Sequence, residues 1–177
     1  MLFTGRSIWT MVHGIVLGGG ALMGLAAALF YLYAARTSDG PQVSAPNGSR
    51  ALAALTVFTA AMLWLTVLVG TYIIFPPYRA TPPAGVTDLG QFPRSLIQAS
   101  SESAWLHSFA MESKEHMPWI ASMLATAVAF VTVRYRWGVL HDASLRNRVT
   151  ILLAICFALV SFVSLMGVFV NKVAPLQ

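Results

Sequence analysis

The segment from Trp105 to Tyr135 reads WLHSFAMESKEHMPWIASMLATAVAFVTVRY. Its second part, from Met117 to Val133, is an apolar run, and the whole segment exceeds the roughly 20 helical residues needed to cross a hydrocarbon core of about 30 Å. Its first part crowds His107, Glu112, Lys114, Glu115 and His116 directly ahead of that run. The segment therefore predicts a membrane-spanning helix with a polar end, and any chemistry is expected at that end.

Three other segments have the same length and character: about Ser7 to Ala35, about Ala51 to Phe75 and about Val149 to Val170. Helices are the expected solution, because lipid offers no partners to backbone polar groups and no strand-length alternation suggests a barrel. The predicted fold class is thus an all-α integral membrane protein with four transmembrane helices in an up-down antiparallel bundle. Residues 1–177 then form a single membrane domain with no soluble domain. Composition agrees: of 177 residues, 57 % are hydrophobic and 10 % charged, against about 25 % charged in soluble domains. The apolar stretch from Ile8 to Ala35 is far longer than the roughly 7–15 residues of a signal-peptide core, so a retained first helix is expected.

The net charge of +5 comes from eleven basic and six acidic residues. In a membrane protein such an excess reports orientation, and nothing points to nucleic acid. Arg36 and Arg50 flank the first connection, and Arg134, Arg136, Arg146 and Arg148 flank the third. The second connection balances Arg79 and Arg94 with Asp88 and Glu102. The positive-inside rule then predicts a multi-pass protein of the cell (inner) membrane, with connections 36–50 and 136–148 cytoplasmic and both termini outside, or periplasmic. Thr37 to Ser49 is expected to be a mobile, turn-rich loop ending in an N-cap for the second helix. The outer proline-rich loop, 76–101, carries Pro76, Pro77, Pro82, Pro83 and Pro93, so its first half should be extended. Cys156 is the single cysteine, which excludes a disulfide within the chain, and no Cys-x-x-Cys-His motif for covalent haem is present.

The first helix carries His13 near its outer end, followed by Gly14, Gly18, Gly19, Gly20 and Gly24. Gly14/Gly18 and Gly20/Gly24 are pairs at four-residue spacing, which admit a neighbouring backbone or a flat cofactor. In the predicted topology His13 and His116 lie at similar depth on parallel helices. Two such histidines can clamp one b-type haem, an arrangement similar to that of membrane b-type cytochromes. A second haem about 20 Å deeper would need ligands near Ala27 and Phe130, so at most one is implied. Glu112 lies four residues before His116, where it can orient the imidazole or accept a proton beside a quinone. Pro118 removes the amide that would bond the Lys114 carbonyl, so a loosened turn is expected there. The bland alternative for each group is a hydrogen bond to a carbonyl or lipid, or a solvated outer turn.

These features point to a small membrane subunit of an electron-transfer or energy-converting complex rather than a stand-alone enzyme. The expected site comprises His13 and His116 as haem b ligands, with Gly14, Gly18 and Glu112 around the cofactor and quinone as a second cofactor. The competing expectation is a cofactor-free accessory or scaffold subunit that packs, within the lipid bilayer, against a larger membrane partner.

Overall fold

The computed structural model describes residues 4–37 and 46–175. Among the described residues there is no strand, and four helices are long and apolar enough to cross a membrane. They are α1 (Gly5–Thr37), α2 (Asn47–Arg79), α4 (Leu106–Arg134) and α6 (Ala143–Val173), with the short α3 (Pro93–Gln98) and α5 (Arg136–His141) between them. The chain is a multi-pass protein suited to a lipid bilayer. α2 and α6 overrun their expected segments by about a turn at one or both ends, whereas α1 exceeds its segment by two residues at each end and α4 stays within the segment expected for it.

Caps account for several boundaries. Thr4 accepts the amide of Ser7 at 3.2 Å to start α1. Asp142 Oδ1 accepts the amides of Ser144 at 2.8 Å and Leu145 at 3.3 Å to start α6, satisfying donors that have no partner within the helix. The helical backbone of this segment starts at Pro46, one residue before the span α2 and ahead of the cap expected at Ser49, since proline suits a first helical position where no amide donor is needed. Most of the turn-rich connection before it, 38–45, lies outside the described residues.

The α1 helix packs on α2 and α6, and α4 packs on the same two, so α1 and α4 face each other diagonally. Ala21, Leu25, Ala28 and Leu32 recur at helical spacing on α1 and are at most 1 % exposed. They meet Leu52, Ala60 and Leu63 of α2, Ala121, Ala125 and Val128 of α4, and Leu153 and Cys156 of α6 in one core. Met23, Phe30, Phe130 and Val168 point outward, as lipid-facing residues do. Hydroxyls tie α2 to α4: Thr56 and Thr132 meet at 2.6 Å, and Trp64 Nε1 donates to Thr126 Oγ1 at 2.9 Å. Such interhelical bonds contribute on average about 0.6 kcal/mol.

The proline-rich connection is more structured than its composition predicts. Pro76 and Pro77 lie in the last turn of α2, Phe75–Arg79, directly after its widened turn, and the extended run begins only at Ala80. Pro93 starts α3, which folds back over the ends of α2, α4 and α6. There Tyr78, Ile97, Leu106, Met111, Met166 and Val170 form a second, smaller core. This end of the molecule is called the capped end below.

Candidate functional site

Three of the four long helices widen at the capped end into turns in which amides bond five residues back: Val12–Gly18 in α1, Gly70–Ile74 in α2 and Leu106–Met111 in α4. Turns of this kind are rare, loosen the backbone ladder and concentrate at functional sites. Here the first holds His13, the second holds Gly70, which faces it, and the third holds His107. The continuous α-helix from Glu112 to Arg134 runs through Pro118, so the loosened turn of α4 falls just before the position expected for it.

His13 turns inward from the widened turn of α1 onto α2. Gly70 makes room for it, since a Cβ there would lie 2.8 Å from His13 Cε1. The ring's Nδ1 is buried with no well-formed hydrogen bond, and the Thr66 backbone is a hydrogen-bonding neighbour of the ring. Lys114 turns inward from the opposite helix, close enough for its charge to act on His13. It meets α6 at Gly167, where a Cβ would lie 2.6 Å from its Nζ. No carboxylate among the described residues comes within ion-pairing distance of that ammonium. Two glycines on α2 and α6 thus open space for two polar groups from α1 and α4.

His116 lies two residues further, about 200° around the helix. Its side chain is 73 % exposed, and its Nδ1 engages the Glu112 carbonyl oxygen at 2.8 Å. The Glu112 carboxylate stands 4.0 Å from the same nitrogen and is itself exposed. Gly14 faces open space, and the nearest atom to a Cβ at Gly18 is the His13 carbonyl of its own helix. The glycine pair that receives a neighbour is Gly20/Gly24, against Met62 and Thr59 of α2. The expected site residues are therefore not brought together: His13 faces the interior, whereas His116, Glu112 and Gly14 face outward. So placed, the two histidines do not fit one haem, because the Gly70 notch is filled by His13 itself and His116 points away from it. Ala27 and Phe130, at the depth of a second haem, also face outward.

A second polar group lies under the cap. The Tyr78 hydroxyl and His107 Nδ1 share a hydrogen bond at 3.0 Å between the end of α2 and the start of α4. Arg94 of α3 and Glu115 of α4 are both close enough to act on Tyr78 electrostatically. Arg94 Nε is buried without a partner. Sequence reasoning gave His107 no role, because it precedes the apolar run and its partner lies 29 residues away. Tyr78→Phe is expected to remove this bond at a cost of about 1 kcal/mol, the net worth of a typical internal hydrogen bond. Thermal unfolding in detergent should show the loss, and His107→Ala should add little to it in the double variant.

Chemically, the end offers an inward imidazole and an ammonium that has no ion-pair partner among the described residues. Such a pair can take up or release a proton and can hold an oxygen-rich group. The described residues contain no group of three or more histidine, cysteine, aspartate or glutamate side chains placed to hold a metal ion. The chain matches no known protein family, no curated protein and no solved structure.

Proposed function

We propose that the chain is a small membrane subunit of an electron-transfer or energy-converting complex, and that it works at its capped end rather than along its whole length. The observation that carries this reading is that His13 and Lys114 turn inward from diagonal helices, with no ion pair to either among the described residues. Ionisable groups inside membrane segments are costly and usually mark ion, proton or cofactor paths. In this reading the four spans form an up-down antiparallel bundle without a soluble domain. The arginine-flanked connections are cytoplasmic, and the capped end is outside, where the pair can pass protons to or from a quinone.

A cofactor-free accessory subunit is the second reading, and the outward turn of His116 favours it over the haem-bearing form. For His13 and His116 to share one haem b, α4 would have to turn by about half a revolution. A reduced-minus-oxidised spectrum of the purified chain is accordingly expected to be flat in the b-type α region. A band that disappears in both His13→Ala and His116→Ala would restore the haem.

The reading itself is tested in native membranes. The chain should migrate with larger redox subunits in a native gel. Lys114→Met and His13→Ala should leave that band in place and reduce quinol-dependent electron transfer at least tenfold. Migration as a free monomer would overturn the subunit assignment, and unchanged turnover would overturn the role of the polar pair.

A further inference from the structure

We propose that the bend between α4 and α5 is a binding site for an anionic phospholipid, whose headgroup phosphate is held by Arg134 and Arg136. The inference concerns the end of the molecule opposite the cap and does not depend on membership of a redox complex.

The site is built by the way α4 stops. Tyr135 leaves helical geometry, with φ −111° and ψ 24°, and the chain bends there between Arg134, the last residue of α4, and Arg136, the first of α5. Val139 and Leu140 anchor α5 from beneath, since both are buried in the main core with Val149 of α6. With the bend so held, the six consecutive residues from Val133 to Gly138 line a groove of about 400 Å³. Both arginines belong to that lining, as do Tyr135 and Trp137. The Arg134 guanidinium carbon stands 5.5 Å from the centre of the Tyr135 ring, a cation–π contact that steadies it at the groove.

Charge decides the occupant. No arginine among the described residues takes part in an ion pair. Asp142 is the one carboxylate of the described residues at this end, and its Oδ1 is committed to the amides of Ser144 and Leu145. Two guanidiniums in one groove without a carboxylate match a phosphate, whose oxygens accept the paired N–H groups of an arginine fork. The same lack of carboxylates selects among phospholipids. A choline or ethanolamine headgroup would bring its ammonium up to two arginines with no acidic residue to receive it, whereas an anionic headgroup brings no such charge. The level is also right, because Tyr135 and Trp137 are exposed aromatics at a helix end, where such side chains mark the headgroup layer. Beneath them, Val133 and Phe130 are exposed at three-residue spacing on one face of α4, a track for the acyl chain.

The test uses the full chain, purified in a neutral detergent and stripped of lipid, with native mass spectrometry as the readout. Phosphatidylglycerol and phosphatidylcholine with the same acyl chains are titrated separately. The wild-type chain is expected to retain phosphatidylglycerol about fivefold more tightly or better, the factor that one arginine near an anionic lipid surface contributes. The double variant Arg134→Gln/Arg136→Gln should lose that preference. Arg50→Gln/Arg148→Gln removes the same charge from exposed positions at the same end and should keep it. Equal retention of the two lipids by the wild-type chain overturns the site, and so does a preference that survives in Arg134→Gln/Arg136→Gln. A preference lost equally in both double variants overturns it too, because overall charge would then suffice. Should Arg134→Gln/Arg136→Gln fail to fold, tryptophan fluorescence gives the second measurement. Phosphatidylglycerol brominated on its acyl chains should quench the wild-type emission, and most of that quenching should vanish in Trp137→Phe and persist in Trp9→Phe. Quenching that is unchanged in Trp137→Phe overturns the site.

Discussion

Gly24→Val is expected to destabilise the protein by about 2–3 kcal/mol, the upper part of the usual range for overpacking, while Gly20→Ala one turn away is expected to be close to neutral. Both glycines face α2, and both would push a Cβ into a neighbour. What differs is the neighbour. At Gly20 it is the terminal methyl of Met62, at the end of a flexible chain that can swing aside. The alanine also has about 1 kcal/mol better helix propensity than glycine. At Gly24 the collision is with Oγ1 of Thr59, a short branched side chain that is 1 % exposed. Its hydroxyl is committed to the Leu55 carbonyl at 2.8 Å. Thr59 can give way only by surrendering that bond or by moving α2 away from α1, and packing is the main force that holds such helices together. Thermal midpoints in one detergent decide the matter. Equal losses at the two positions would show that α1 and α2 separate freely here and that the Thr59 contact does not set their distance.

The four spans were legible because hydropathy and length are properties of the chain alone. The inward presence of His13 was also foreseeable, since a histidine within an apolar stretch has few inexpensive places to go. The facing of α4 was not. Lys114 and His116 lie on one apolar-ended helix with polar residues around much of its first turns, and nothing in their spacing says which of the two points inward. The widened turn at Leu106–Met111 also shifts the phase of the helix entering that stretch, so a count at 100° per residue misplaces what precedes it. The glycines show the same limit. Gly14/Gly18 and Gly20/Gly24 are equivalent patterns, and only the approach of Thr59 and Met62 distinguishes the pair that packs from the pair that does not. Tyr78 and His107 were out of reach for another reason. Their meeting depends on a proline-rich connection folding back, which turns on burial of Ile97 rather than on any local motif.

That dependence makes Ile97→Ala the most informative change at the capped end. Ile97 is 0 % exposed and packs with Tyr78, Leu106, Met166 and Val170, and its carbonyl accepts the Ser103 hydroxyl at 2.7 Å. Removing its outer carbons leaves a cavity where three spans and the cap meet, and such truncations cost about 2–5 kcal/mol. The four spans have their own core, built from Leu25, Val128, Leu153 and their neighbours, so the loss should fall on the cap. The cap is therefore expected to open locally while the spans remain folded, as the least stable unit of a protein generally does. Limited proteolysis should cut between Ala80 and Ser100 much faster than in the wild-type chain. His107 should become open to acylation as its bond to Tyr78 breaks, and the helical signal should hold to nearly the same temperature. Ile97→Val, which removes one methylene, should move both readouts only slightly, in line with a cost of about 1 kcal/mol. If Ile97→Ala instead melts the whole protein in one step, the cap and the spans are a single cooperative unit. The polar end would then be as rigid as the core beneath it.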